Sequence, residues 1–180
     1  AEAQVLREAG QYQQALSVQA QAVEQFPDSS DLLYEQAMLA DKAGQPELME
    51  QLLRKLIARE PDYHHAYNAL GYALADRGIR LKEARQLIQK ALTFAPDDPF
   101  IQDSLGWVEF RLGNRAEALW LLESGFQKRS DVEIAAHLGE VLWSMGQQDR
   151  ARQIWTKGVQ RGGADNETLR STLKRLGVSL

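Results

Sequence analysis

Cysteine is absent from the 180 residues of this chain. Disulfides, thiolate metal sites and a cysteine nucleophile are therefore excluded, while reducing and oxidising compartments both stay open. Histidine is scarce, with only His64, His65 and His137. The first two are adjacent, and adjacent residues project roughly 100° apart on a helix, so they do not serve as joint metal ligands. Excess positive charge is also missing: Lys+Arg total 21 against 25 Asp+Glu, a formal net charge of -4. A general nucleic-acid or anionic-membrane surface needs the opposite balance, because it binds by displacing counterions. No apolar run approaches the roughly 20 residues that span a bilayer. There is no Gly-rich phosphate loop, nucleophile elbow or metal-ligand spacing, and Gly162-Gly163 is one isolated break. No catalytic residue, cofactor or metal is expected, and the chain reads as non-enzymatic.

What is present is a repeat. Pairs of small residues seven apart, Ala37/Gly44, Gly71/Gly78, Gly106/Gly113 and Gly139/Gly146, advance along the chain by 34, 35 and 33 residues. The ladder starts half a unit earlier at Gly10, and alanines (Ala15, Ala84, Ala118, Ala151) and prolines (Pro27, Pro61, Pro96) follow at set offsets. Apolar spacing inside each unit is helical twice over, as in Tyr67, Leu70, Gly71, Leu74 and then Ala84, Leu87, Ile88, Ala91, Leu92. Each unit is thus a helical hairpin whose second glycine ends the first helix. The spacing predicts helices over residues 2–9, 12–25, 30–43, 46–59, 64–77, 81–94, 99–112, 115–128, 132–145, 148–161 and 165–176. The third repeat carries one extra residue, assigned to the turn Gly78-Ile79-Arg80-Leu81. Asp28, Asp62 and the pair Asp97-Asp98 read as turn and capping residues rather than paired acids. The last segment, with Asp165-Asn166 ahead of Leu169, Leu173 and Leu176, reads as a capping helix. At the other end Leu6 lies four residues before Gly10, so the array opens in mid-repeat and further repeats are expected upstream.

Asn68-Ala69-Leu70-Gly71-Tyr72-Ala73-Leu74 with Gly78, and Asp103-Ser104-Leu105-Gly106-Trp107 with Gly113, Glu117 and Ala118, resemble the tetratricopeptide repeat (TPR). The resemblance implies an all-α TPR superhelix, an α-α solenoid of about four full hairpins plus a partial N-terminal one and a C-terminal capping helix. The expected layout is one TPR domain over 1–180: a partial repeat 1–29, repeats 30–63, 64–98, 99–131 and 132–164, and a cap 165–180. Glu109 stands where such repeats place a packed aromatic, so it is expected to be paired or partly exposed. A finer similarity covers residues 64–161, through Leu70 to Asp76, Ala95-Pro96-Asp97-Asp98-Pro99, Asp103 to Trp107 and Glu133 to Trp143. These stretches resemble Gram-negative TPR lipoproteins of the outer membrane, adaptors that bind a carboxyl-terminal processing protease and bring it cell-wall hydrolases. The resemblance implies a location on the periplasmic face of the outer membrane, with a lipid anchor outside this fragment. A cytoplasmic peptide-binding scaffold and a self-associating structural spacer are the alternatives.

Helix geometry separates core from inner face. With the unit's glycine or Ala37 as position 8, positions 4, 7, 8 and 11 fall on one arc, and positions 2, 5, 9, 12 and 13 on the opposite one. In a TPR superhelix the second arc lines the concave groove. The candidate partner-binding residues there are Tyr34, Met38, His65, Asn68, Tyr72, Asp76, Asp103, Trp107, Phe110, Arg111, Glu140 and Trp143. Trp107, Phe110 and Tyr72 are the expected anchors, with Trp107 exposed in the groove. Trp120 and Trp155, on second helices, are expected to pack. Aromatic and acidic character suits a protein or peptide partner that presents apolar and basic side chains. The basic clamp with which some TPR proteins hold an acidic C-terminal tail is missing, since position 5 reads Tyr34, Asn68, Asp103 and Ala136. The basic cluster Arg77, Arg80, Lys82 and Arg85 reads as a solvated turn.

Overall fold

The computed structural model describes residues 2–180. Eleven α-helices follow one another there: α1 (Glu2–Glu8), α2 (Tyr12–Gln25), α3 (Ser30–Lys42), α4 (Pro46–Arg59), α5 (His64–Arg77), α6 (Leu81–Phe94), α7 (Pro99–Arg111), α8 (Arg115–Lys128), α9 (Val132–Ser144), α10 (Gln148–Gly158) and α11 (Glu167–Leu176). The fold is all-α, as the repeat pattern requires. It divides into two compact units, Ala1–Leu70 and Gly71–Leu180, with the boundary inside α5.

Helices α2, α4, α5, α6 and α8 have the bounds that the spacing predicts. Helices α1, α3, α7 and α9 each stop one residue short; in the last three, ψ has opened to 1°, -9° and 7° at Ala43, Leu112 and Met145, and α11 starts two residues late, after its cap Asn166. The larger difference lies at α10, which ends at Gly158 instead of running to 161. A wide π-type turn, Val159–Gly163, follows it, and Gly162 (φ 91°) leaves helical space altogether. Asp98 caps α7 as expected, and at α3 the cap is Ser29, one residue beyond Asp28. Ser29 and Asp98 accept the first amides of α3 and α7, while Asp28 and Asp97 stay exposed in the turns. Asp131 caps α9, and Asn166 caps α11.

In the first unit, Ala15, Leu33, Ala37, Ala40, Leu53, Leu56 and Ala66 are buried. The second unit is built on Leu74, Ala84, Ile88, Ile101, Val108, Leu122, Ile134, Leu138, Leu142 and Trp155. Its hairpins close where the first helix carries glycine. A Cβ on Gly106 would sit 2.6 Å from Leu122 Cγ, and one on Gly139 would overlap the Trp155 indole. Trp155 is therefore a packing residue, 0% exposed, with Nε1 donating to the Ala136 carbonyl. Trp120 is not: it is 63% exposed on α8. Glu109 is buried and paired, accepting from Asn114 Nδ2 at 2.6 Å and facing Arg85 at 3.6 Å. Arg85 of the basic turn is committed to that pair, and Arg80 sits 3.4 Å from Glu83. The extra residue in this turn puts Arg80 at φ 47°.

The last helix covers the second unit's end. Leu169 and Val178 join the core there, with Leu173 and Leu176 packed against it. Arg175 reaches back from α11 to α9 and holds both carboxylate oxygens of Glu140, at 2.8 and 2.7 Å.

Two glycine substitutions should separate packing from backbone strain. Gly139→Ala must displace a fully buried indole and should destabilise by about 3 kcal/mol. Gly113→Ala meets nothing within 4 Å and carries only the strain of φ 91°, about 1 kcal/mol. Urea unfolding of both variants measures the difference.

Candidate functional site

Three first helices of the second unit are joined by one buried polar network. His137 on α9 is 2% exposed, and its Nδ1 lies 2.9 Å from both oxygens of Asp103 on α7. Its Nε2 lies 3.2 Å from the Tyr72 hydroxyl on α5. The Trp107 indole stacks on the imidazole, centroids 4.4 Å apart at 23°, and Phe110 leans on Trp107 at 5.4 Å. Burial by itself would lower the His137 pKa. The charge and hydrogen bond of Asp103, with added pull from Asp76 and Glu133, outweigh burial and leave it raised above 6.5. A stacked indole face also favours the cation. When charged, the ring donates to Asp103 from Nδ1 and to Tyr72 from Nε2. When neutral it keeps the Nδ1–H on Asp103, and the Tyr72 hydroxyl donates to Nε2. Both states are satisfied by a turn of the Tyr72 hydroxyl hydrogen, with the heavy atoms in place.

The predicted inner-face residues thus fall into two kinds. Asp103, Trp107 and Glu140 are buried, at 5%, 4% and 7% exposure. Trp107 is therefore no exposed anchor: its ring is spent covering His137, and Nε1 has no hydrogen-bond partner among the described residues. Glu140 is held by Arg175 rather than offered to solvent. Arg111 is exposed, yet its Nε donates to the Ala75 carbonyl at 3.2 Å, a cation set against the last turn of α5. Trp143 is half-buried between Trp155 (5.7 Å) and the Arg152 guanidinium (5.6 Å). What the second unit leaves accessible is Tyr72 and Phe110, half-buried, and Asp76, exposed.

In the first unit, Tyr34 and Met38 on α3 are half-buried one turn apart, and His65 on α5 is exposed. Asn68 is half-buried, and its Oδ1 carbonyl has no hydrogen-bond partner among the described residues. Tyr34 and His65 come together, 6.2 Å apart, and Tyr63 joins them. Sequence reading passed over Tyr63 because it precedes its helix.

Residues 1–48 and 34–99 match the tetratricopeptide repeat model, together more than half of the chain. The chain belongs to the tetratricopeptide repeat family. A TPR repeat-containing protein of Pseudomonas aeruginosa is 47% identical over 139 residues, 77% of this chain and 24% of that protein. Human tetratricopeptide repeat protein 7A is 39% identical over 79 residues, 43% of this chain and 9% of its own length. This TPR chain therefore spans a quarter or less of the curated relatives it matches. Among solved structures, a thermophilic TPR protein of Thermus thermophilus superposes with a TM-score of 0.84 at 24% identity, covering 98% of this chain and 96% of that one. PilF of Pseudomonas aeruginosa gives 0.70 at 22%, covering 97% and 88%. These likenesses establish the TPR fold.

The pairing of Asp103 with His137 was not foreseen, although they stand 34 residues apart, one TPR unit. The available signal was an acid at position 5 facing a histidine at position 6 of the next repeat. A raised folded-state pKa gives stability that is full below the unfolded value near 6.5 and is lost as pH rises through the folded value. The stability of the wild type over His137→Gln should therefore be larger at pH 5.5 than at pH 9. In Asp103→Ala, itself costing about 3 kcal/mol, that pH dependence should be lost or reversed, because burial then acts against the charged ring. Urea unfolding across the pH series reads both.

Proposed function

We propose that this TPR chain is a non-enzymatic protein-binding scaffold whose second unit presents Tyr72, Asp76 and Phe110 to a partner. One observation carries the reading: the buried Asp103–His137 pair, covered by the Trp107 ring, is bonded to the half-buried Tyr72 hydroxyl, so it holds a preorganised face. Rigid aromatic anchors with carboxylates at their side supply binding energy and steering, respectively. The finer proposal is an adaptor that binds a periplasmic carboxyl-terminal processing protease and presents cell-wall hydrolases to it, at the periplasmic face of the outer membrane. Its support is the resemblance of residues 64–161 to that lipoprotein family, together with the 47% identity to a longer bacterial TPR protein.

The test uses substitutions that spare the buried network. Phe110→Ala and Asp76→Lys should each weaken capture of a purified carboxyl-terminal processing protease from the same bacterium by about tenfold, measured under conditions where unfolding curves show both variants fully folded. Wild-type binding by both variants removes this face from the scaffold. Failure of the wild-type chain to capture the protease removes the adaptor reading. A mass by light scattering that rises with concentration, with no partner bound, would favour the spacer instead.

A further inference from the structure

The helix that opens the third repeat breaks a local rule. Its capping position aligns with Ser29, Asp98 and Asp131, all of which cap their own helices through a side-chain oxygen. Here the position holds Tyr63, whose phenol reaches away and donates to Asp31 Oδ1 on α3 at 2.9 Å. A tyrosine ring cannot fold back onto the next amides, so this helix start forgoes a side-chain cap. What it gains is a third ring. Tyr34, Tyr63 and His65 have centroids 5.8, 6.2 and 6.2 Å apart, nearly an equilateral triangle, with planes tilted by 41°, 50° and 69°.

Three mutually tilted rings make a corner rather than a stack. A cation seated over its centre lies about 3.5 Å in projection from each centroid, so all three rings are within the roughly 6 Å reach of a cation–π contact. A planar guanidinium stacks on one face; a tetrahedral ammonium fits a corner. The charge around the corner has the matching sign. Asp31 borders it, and Tyr63 ionises with more difficulty than an ordinary phenol because of burial, its bond to Asp31, and the negative charge of Asp31 and Glu60. Tyr34 is held neutral by burial. Of the basic side chains in this region, the His64 imidazole packs on the His65 ring with centroids 4.1 Å apart, and Arg59 is engaged by the Pro27 carbonyl at 2.7 Å and Ser30 Oγ at 2.6 Å.

We propose that Tyr34, Tyr63 and His65, with Asp31 at their edge, form a receptor for an alkylammonium cation, delivered as the lysine side chain of a bound polypeptide. The corner as a cation site stands on its own geometry; only the polypeptide carrier rests on the scaffold reading above. All four residues belong to the first unit, so the site is separable from the Tyr72–Phe110 face.

The 180-residue chain is titrated with tetramethylammonium chloride and, separately, with neopentyl alcohol, an uncharged analogue of similar size, while tyrosine and histidine ring-proton shifts are followed. The cation should shift the three rings saturably in the millimolar range, and the alcohol should not. Tyr63→Leu keeps apolar bulk and loses the π face; Asp31→Asn keeps the hydrogen-bond acceptor and loses the charge. Each should weaken tetramethylammonium binding about 3- to 10-fold, with Phe110→Ala unaffected. Equal shifts by the alcohol, or unchanged binding in both variants, overturn the site. N-acetyl-lysine methylamide should compete with tetramethylammonium, and failure to compete overturns the lysine assignment alone. Loss of protease capture with these titrations intact would refute the adaptor and leave the receptor standing.

Discussion

Everything in this fold depends on how closely the two helices of a hairpin approach. Where Gly71, Gly106 and Gly139 stand, the facing side chains are Ile88, Leu122 and Trp155, and no Cβ fits between. Close approach buries apolar area on both helices at once, and that burial is the main favourable term for a chain without cysteine. It also fixes rotation: once a glycine must face its partner, the rest of each first helix has no choice of face. The glycine at the hairpin's turn then has only to reverse direction, which its left-handed backbone does.

From that constraint follows the division between buried and offered residues. The face opposite the glycines is not uniformly a binding surface. In the second unit its centre is occupied by Asp103 and Trp107, locked around His137, and its far end by Glu140 under Arg175. Charges there are paired and shielded, and the accessible side chains are those of the aromatic and acidic rim. Buried polar groups arranged like this make a poor source of net stability but a strong source of uniqueness, since any sliding of one repeat against the next leaves a charge without its partner.

Helix positions were legible in the sequence because periodicity and glycine spacing report local geometry. The role of Glu109 was legible for a related reason, since a charge in an apolar slot must find a partner, and Asn114 and Arg85 supply it. Trp107 was misjudged because facing inward on a helix does not say what a neighbouring repeat places against it. The ring that covers it comes from His137, at a position that helical-wheel reasoning assigned to neither face. Trp120 erred in the other direction, its exposure set by the absence of a neighbour that no sequence window contains. Tyr63 was overlooked because attention to helices skips the residues before them.

His137 is a branch point. One imidazole ties α9 to α7 through one nitrogen and to α5 through the other, so within the second unit a strain applied to any of the three helices is shared by the other two. The unit cannot open between α5 and α7 as a hinge without also breaking its hold on α9. In mechanical terms it is braced at a node and not merely stacked.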